Sequence, residues 1–278
     1  SKLNMYGMYH AYYAKKKDFK PSADFLKEVN ELDYSNENDF NNSPSYKNLV
    51  SAYYGNKATD LSKEKDMNRS IAMFEVLSSV KSDAIKNSLA FEAAKYEITY
   101  TDKVEEFYNA FMAVSTDTKN NEAVTKDYNV LKKLSKGNPS PQFSNYENNA
   151  GGTTSLSDLK GKYTYVDVWA TWCGPCIAEI PSLKKVEKKY HGKNIQFLSV
   201  SIDDRKDHAK WKQMIKDKEL GGIQVFADNK WESAFVQGYL IKGIPRFLLL
   251  DPKGNIVSAN APRPSDEKLI ELFKELKI

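Results

Sequence analysis

The chain has 278 residues, enough for two domains that each bury a core, and its 41% hydrophobic and 28% charged residues are ordinary for a globular protein. No stretch approaches the roughly 18 to 20 continuous apolar residues of a membrane-spanning helix. The formal charge of +4, from 41 basic against 37 acidic side chains, is scattered: Lys15-Lys16-Lys17 and Lys184-Lys185 with Lys188-Lys189 read as solvated helix faces, and no basic stripe with aromatic platforms points to nucleic acid.

The chain opens at Ser1 rather than Met, with neither a basic n-region nor an apolar h-region, which suggests a removed leader that would be the place of any lipid anchor. Residues 1–137 read as consecutive amphipathic helices. Ser43-Pro44 looks like an N-cap and first-turn proline, Tyr46, Leu49, Val50 and Tyr53 follow at helical spacing, and Gly55 suits the stop. Four further stripes follow: Met67, Ile71, Phe74 and Leu77; Ile85, Leu89, Ala93 and Tyr96; Val104, Phe107, Tyr108 and Phe111; Val124, Tyr128 and Leu131. Tyr6, Tyr9, Tyr12, Tyr13, Tyr53 and Tyr54 fit either core packing, the simpler reading, or a sugar or peptide surface.

Glycine and two prolines in Lys136 to Pro141 break the pattern, placing a domain boundary near Gly137 and a second domain over 138–278. There the expected elements are a short hairpin of Gln142 to Tyr146 with Thr153 to Leu156, a buried strand Tyr163 to Trp169 and a helix Gly174 to Tyr190. A strand Ile195 to Ile202 and a helix Lys206 to Lys216 capped by Asp204 come next. Ile223 to Phe226, Phe247 to Leu250 and Ile256 to Ser258 supply further strands, the last two joined by the turn Asp251-Pro252-Lys253-Gly254, and Ser265 caps a closing helix. This order describes an α/β sheet covered by helices.

The only two cysteines, Cys173 and Cys176, stand in Trp172-Cys173-Gly174-Pro175-Cys176 directly after that buried strand. A Cys-x-x-Cys at the carboxyl end of a strand and the start of a helix is the setting of a dithiol/disulfide switch. Unpaired N–H groups and the helix dipole favour a thiolate there, so Cys173 is the expected nucleophile and Cys176 the residue that resolves the mixed disulfide. The rivals are a structural disulfide, which closes too small a loop to constrain the chain much, and a zinc site. Zinc would need distant histidines, His10, His191 or His208, to converge on the pair.

From Val166-Asp167-Val168-Trp169-Ala170-Thr171-Trp172-Cys173-Gly174-Pro175-Cys176 the chain resembles the thioredoxin superfamily, and within it the TlpA/ResA-like thiol-disulfide oxidoreductases of bacterial envelopes. The likeness covers about residues 138–278. It implies a thioredoxin-like domain, a central mixed sheet flanked by helices, behind an all-α domain, a pattern similar to envelope proteins of Bacteroidetes. It also implies that Ile244-Pro245 forms a cis-proline loop presenting the Ile244 backbone to an extended peptide, that Asp167 is a buried acid moving protons for the resolving cysteine, and that Glu179 tunes the pair. Alternatives for the two acids are a solvated strand-end aspartate and a surface glutamate. Trp172, Gly174, Pro175, Ile244, Pro245 and Arg246 are the implied substrate-binding set.

Two positions depart from thioredoxin. Ser199 stands where a buried lysine accompanies the aspartate, and Arg246 replaces the threonine after the cis-proline, reading either as a charge that selects acidic partners or lowers the thiolate pKa, or as an exposed strand-end arginine. Trp211 and Trp231, in a segment longer than that of a minimal thioredoxin, are expected in the core. The implied activity is disulfide reduction of envelope proteins, since Gly174-Pro175 matches thioredoxin, with a potential near −270 mV, rather than an oxidant near −120 mV. It needs no cofactor beyond the Cys173–Cys176 pair, and implies disulfide or dithiol client proteins and an upstream thiol donor. The alternative is a partner-binding protein whose helical half captures the partner, the second domain being a scaffold or a disulfide oxidant. A peroxidase reading lacks a single peroxidatic cysteine in a proline-and-threonine loop.

Overall fold

The computed structural model describes residues 2–16 and 18–278; Lys17, read above as part of a solvated face, lies outside the described residues. The chain divides into two compact units, Ser1–Tyr128 and Asn129–Ile278. The Gly137 segment lies within the second. Gly137 N donates to Ile256 O and Ile256 N to Asn138 O, both at 2.8 Å, so the glycine-proline stretch is stitched to a strand of that unit.

The first unit is helical: α1 (Lys2–Met8) with a π-helical turn at Tyr9–Tyr13, α2 (Ala23–Glu31), α3 (Glu37–Asn42), α4 (Pro44–Glu64), α5 (Arg69–Leu77), α6 (Asp83–Glu97), α7 (Val104–Met112) and α8 (Thr118–Leu131), whose last turn crosses into the second unit. Side-chain caps start most of these helices: Ser22, Asn36, Ser43, Asn68 and Ser82 each accept a backbone N–H of the first turn. Gly55 does not end α4, which runs nine residues further to Glu64. Its missing side chain admits Arg69, which donates to Gly55 O at 3.2 Å while an added Cβ would sit 3.1 Å from that guanidinium. The core collects Leu49, Val50, Leu77, Ile85, Phe107 and Phe111, with Phe74 set edge-on to both phenylalanines. On α6 the inner face is Ile85, Leu89, Ala90 and Ala94, while Tyr96 points to solvent. The tyrosines divide: Tyr6 and Tyr54 are core, Tyr12 is exposed. Lys15 and Lys16 are exposed but lie past the π-helical turn rather than on a helix.

The second unit holds a seven-stranded mixed sheet in the order β2-β1-β5-β4-β3-β6-β7. Its strands are β1 (Tyr146–Asn148), β2 (Thr153–Thr154), β3 (Tyr163–Trp169), β4 (Ile195–Ser201), β5 (Ile223–Phe226), β6 (Arg246–Leu250) and β7 (Ile256–Ser258), and its helices are α9 (Gly174–Lys189), α10 (His208–Asp217), α11 (Ala234–Gly238) and α12 (Glu267–Glu275). β3 is central, parallel to β4 and antiparallel to β6, and six of its seven residues are buried, as the near-continuous apolar run requires. Side chains of Tyr165, Phe197, Phe247 and Leu249 form one core with Leu183 and Val186 of α9 and Leu269 and Phe273 of α12. Fully buried Phe273 sits edge-on to Tyr165 and Tyr190, a burial worth about 2 to 3 kcal/mol. Trp211 is fully buried against Phe226, but Trp231 is only partly buried. Asp266, not Ser265, caps α12, accepting from Lys268 N at 3.0 Å. Among the described residues no helix is long and apolar enough to cross a membrane.

Candidate active site

β3 ends at Trp169, and four residues later α9 begins with Cys173 as its N-cap. Cys173 Sγ accepts from Cys176 N at 3.2 Å, and the two sulfurs are joined in a disulfide with Cα atoms 5.3 Å apart. One N–H of the first turn of α9 therefore points at the Cys173 sulfur, where a thiolate gains from that donor and the helix dipole. Each cysteine is 4% exposed, yet their neighbours Trp172, Gly174 and Pro175 are exposed, so the rim around Cys173 is open. Cys176 begins the inward stripe that continues through Ile180 and Leu183.

Asp203, two residues past β4, grips the loop before the nucleophile. Its carboxylate, with no exposure, accepts from Thr171 N at 3.0 and 3.1 Å, from Thr171 Oγ1 at 2.7 Å and from Ser201 Oγ at 2.8 Å. Hydrogen bonds to a buried charge are each worth about 1.5 to 3 kcal/mol. Asp203→Asn would set an amide N–H₂ against donors, and we expect the attack rate of Cys173 to fall about tenfold or more, with a smaller loss for Thr171→Val; thiol-release kinetics check both. This residue was missed in the sequence because its partner lies 32 positions away; its only signal was an acid closing an apolar strand beside the cysteine strand.

Asp167 is 9% exposed on β3, opposite Ser199 of β4 and Phe247 of β6. Burial, helped by the nearby charges of Glu179 and Glu187, pushes its carboxyl up to about 8. It is not a solvated strand-end residue. Glu179 is part-buried and engaged, accepting from Ser265 N at 3.0 Å and Ser265 Oγ at 2.8 Å. It ties α9 to the residue before the α12 cap, and it acts on Asp167 as a nearby negative charge.

The Ile244–Pro245 peptide is cis. Arg246 pairs with Val168, so Pro245 comes level with the last residue of β3, at the end of the sheet from which the cysteine loop leaves. Ile244 is part-exposed and Pro245 buried. Arg246 is not an exposed strand-end arginine: it is 2% exposed and donates to Asn260 Oδ1 at 3.1 Å, so its guanidinium is directed inside and not toward a partner. Trp231, expected in the core, instead lies beside Trp172, which is 52% exposed, with ring centroids 6.4 Å apart, forming an aromatic ledge next to the disulfide.

Residues 135–272 match the Redoxin family. Thioredoxin-like protein YneN of Bacillus subtilis (strain 168) is 30% identical over 123 residues, covering 44% of this chain and 69% of the relative. Thiol-disulfide oxidoreductase ResA of Bacillus thuringiensis subsp. konkukian (strain 97-27) is 26% identical over 126 residues, 45% of this chain and 70% of the relative. A solution structure from Bacteroides vulgatus, assigned as a thiol-disulfide oxidoreductase, is 52% identical and covers 51% of this chain and 90% of that one, with a TM-score of 0.45. With the redox pair at a helix start beside a buried strand, the chain belongs to the thioredoxin superfamily. Within it, this is a thiol-disulfide oxidoreductase of the TlpA/ResA-like kind, and the cysteine pair itself carries the electrons. The Redoxin match lies in the second unit.

Proposed function

We propose that the chain reduces disulfides of client proteins in the bacterial envelope, with Cys173 attacking and Cys176 resolving. The observation that carries this is the placement of the two sulfurs: Cys173 at the N-cap within an exposed rim, Cys176 on the buried stripe of α9. The Cys173 thiolate attacks one client sulfur, forming a mixed disulfide and expelling the other as a thiolate that takes up a proton. Cys176 gives its proton to the Asp167 carboxylate and attacks the Cys173 sulfur, closing the Cys173–Cys176 bond and releasing the second client thiolate. Two electrons pass to the client, and an upstream thiol donor restores the dithiol. Ile244 offers main chain to an extended client segment, while Trp172 with Gly174 and Pro175 frames the approach. The envelope location rests on the resemblance to TlpA/ResA-like proteins.

Cys176→Ser tests the order of events. It is expected to retain nucleophilic attack and accumulate mixed disulfides through Cys173, identified by mass spectrometry of the captured species; equally ready capture by Cys173→Ser, through Cys176, would defeat the assignment. A reduction potential above about −150 mV, with dithiol oxidation faster than disulfide reduction, would replace the reductase reading with an oxidant.

A further inference from the structure

One stripe of α9 leads inward from the resolving cysteine: Cys176, Ile180, Leu183 and Glu187 follow at i, i+4, i+7 and i+11, a run of about 16 Å along the helix. Beneath α9 the sheet carries a polar row. Asp167 of β3 pairs with Ser199 of β4, and Ser199 with Gln224 of β5, so the three side chains share a face that elsewhere holds Tyr165, Phe197 and Phe247. All three are buried.

Between stripe and row lies a narrow crevice of about 10 Å³, the space of a single water molecule, lined by Asp167, Trp169, Ser199, Gln224, Lys184 and Glu187 among others. Among the described residues, Asp167 Oδ1, Trp169 Nε1 and Gln224 Oε1 are buried with no hydrogen-bond partner. Two acceptors and a donor converging on one crevice form a set that solvent entering it would satisfy, whereas apolar packing would not. Glu187 lines this crevice and also an open cleft on its outer side, shared with Lys185, Lys188, His191 and Glu219. Gly221 leaves room for the carboxylate: a Cβ there would lie 2.6 Å from Glu187 Oε2.

We propose that this crevice is the proton exit of Asp167, running past Ser199 and Gln224 to Glu187, which stands as the gate between the buried carboxyl and solvent. The inference rests on the reading of Asp167 as the acceptor of the Cys176 proton. After each resolving step Asp167 holds one proton, and the next turnover needs it gone; the proton passes along the crevice to the Glu187 carboxylate and from there to water, with no electrons moved. The sheet side contributes Tyr165 and Asp167 itself, α9 contributes Glu179, Lys184 and Glu187, and Glu219, Lys185, Lys188 and His191 stand at the outer cleft. Burial raises the Glu187 carboxyl while Lys184 lowers it, and the Glu187 charge in turn raises Asp167. Lys184 is held outward, donating to Lys218 O at 2.9 Å and pairing with Glu219 at 3.5 Å.

The test mixes reduced protein with an aromatic disulfide whose thiol products absorb light, so that the first thiol released reports Cys173 attack and the second Cys176 resolution. Infrared difference spectra follow the protonated carboxyl of Asp167 after a pH jump. Glu187→Gln is expected to move the Asp167 midpoint down by at least about half a pH unit while leaving the first release unchanged. Gly221→Ala, which displaces the carboxylate without removing it, should shift it in the same direction by less. Gln224→Leu is expected to slow the carboxyl relaxation about tenfold by putting a hydrocarbon in the polar row. Parental midpoints and relaxation rates in folded Glu187→Gln and Gln224→Leu proteins would overturn the route. An unchanged second release in Asp167→Asn would instead overturn the role of Asp167, and the infrared titration of the parent would still report separately on the crevice.

Discussion

Replacing Cys173 with serine is expected to abolish disulfide reduction, with turnover of a protein disulfide falling at least about a thousandfold, because a hydroxyl neither ionises near neutral pH nor forms a bond to sulfur that Cys176 can break. The loss should be chemical rather than structural. Serine is a preferred N-cap residue, so its Oγ can take over the hydrogen bond that Cys173 Sγ accepts from Cys176 N, and the start of α9 should keep its geometry. The disulfide spans only three positions and so restricts the unfolded chain little, which means that thermal unfolding of the variant should match that of the reduced parent. Cys176 cannot substitute as the attacking group, since its side chain continues into the buried stripe with Ile180 and Leu183. Retained insulin-disulfide turnover in Cys173→Ser would discard the attack-and-resolve mechanism.

The strands and helix that build this site were legible because their signals are local. Tyr163–Trp169 and Ile195–Ser201 are apolar runs of strand length, and the proline after Cys173 fits the first turn of a helix. What was not legible depends on partners far along the chain. Gly55 carries a stop signal in isolation, but in the fold its empty side admits Arg69, and the helix continues. The hairpin register shifted to Tyr146–Asn148 because β1 pairs with β5 as well as β2, a constraint no turn motif announces. α11 is only five residues long, too short for a helical period to show. Trp231 illustrates the limit of reading a tryptophan as core: placed beside Trp172, it contributes to a surface instead. Asp203 and Glu187 gained meaning only from Thr171 and from the crevice, neither of which is a sequence neighbour.

Asp167→Asn is expected to make the protein more stable and slower at once, each effect growing as pH rises toward 8. The folded-state carboxyl titrates at about 8, against about 3.9 in an unfolded chain, so between these values the folded protein binds one more proton than the unfolded one. Stability therefore declines as pH rises from about 4 to about 8, by an amount on the order of 5 kcal/mol, and is flat with respect to this group beyond. Asparagine keeps the shape without the charge, so denaturant midpoints of variant and parent should coincide near pH 4 and separate in favour of the variant at pH 8 to 9. The resolving step moves the other way. Only the ionised carboxylate can take the proton of Cys176, so the variant should resolve mixed disulfides about a hundredfold more slowly above pH 8, while below about pH 6, where the parent carboxyl is also protonated, the two rates should converge. A merely structural aspartate predicts neither pattern: its loss would lower stability and leave the pH dependence of thiol release unmoved. A stability advantage of the variant that grows as pH rises toward 8, together with a resolving step that it loses above about pH 6, is the signature of a buried acid kept for its proton at the expense of the fold.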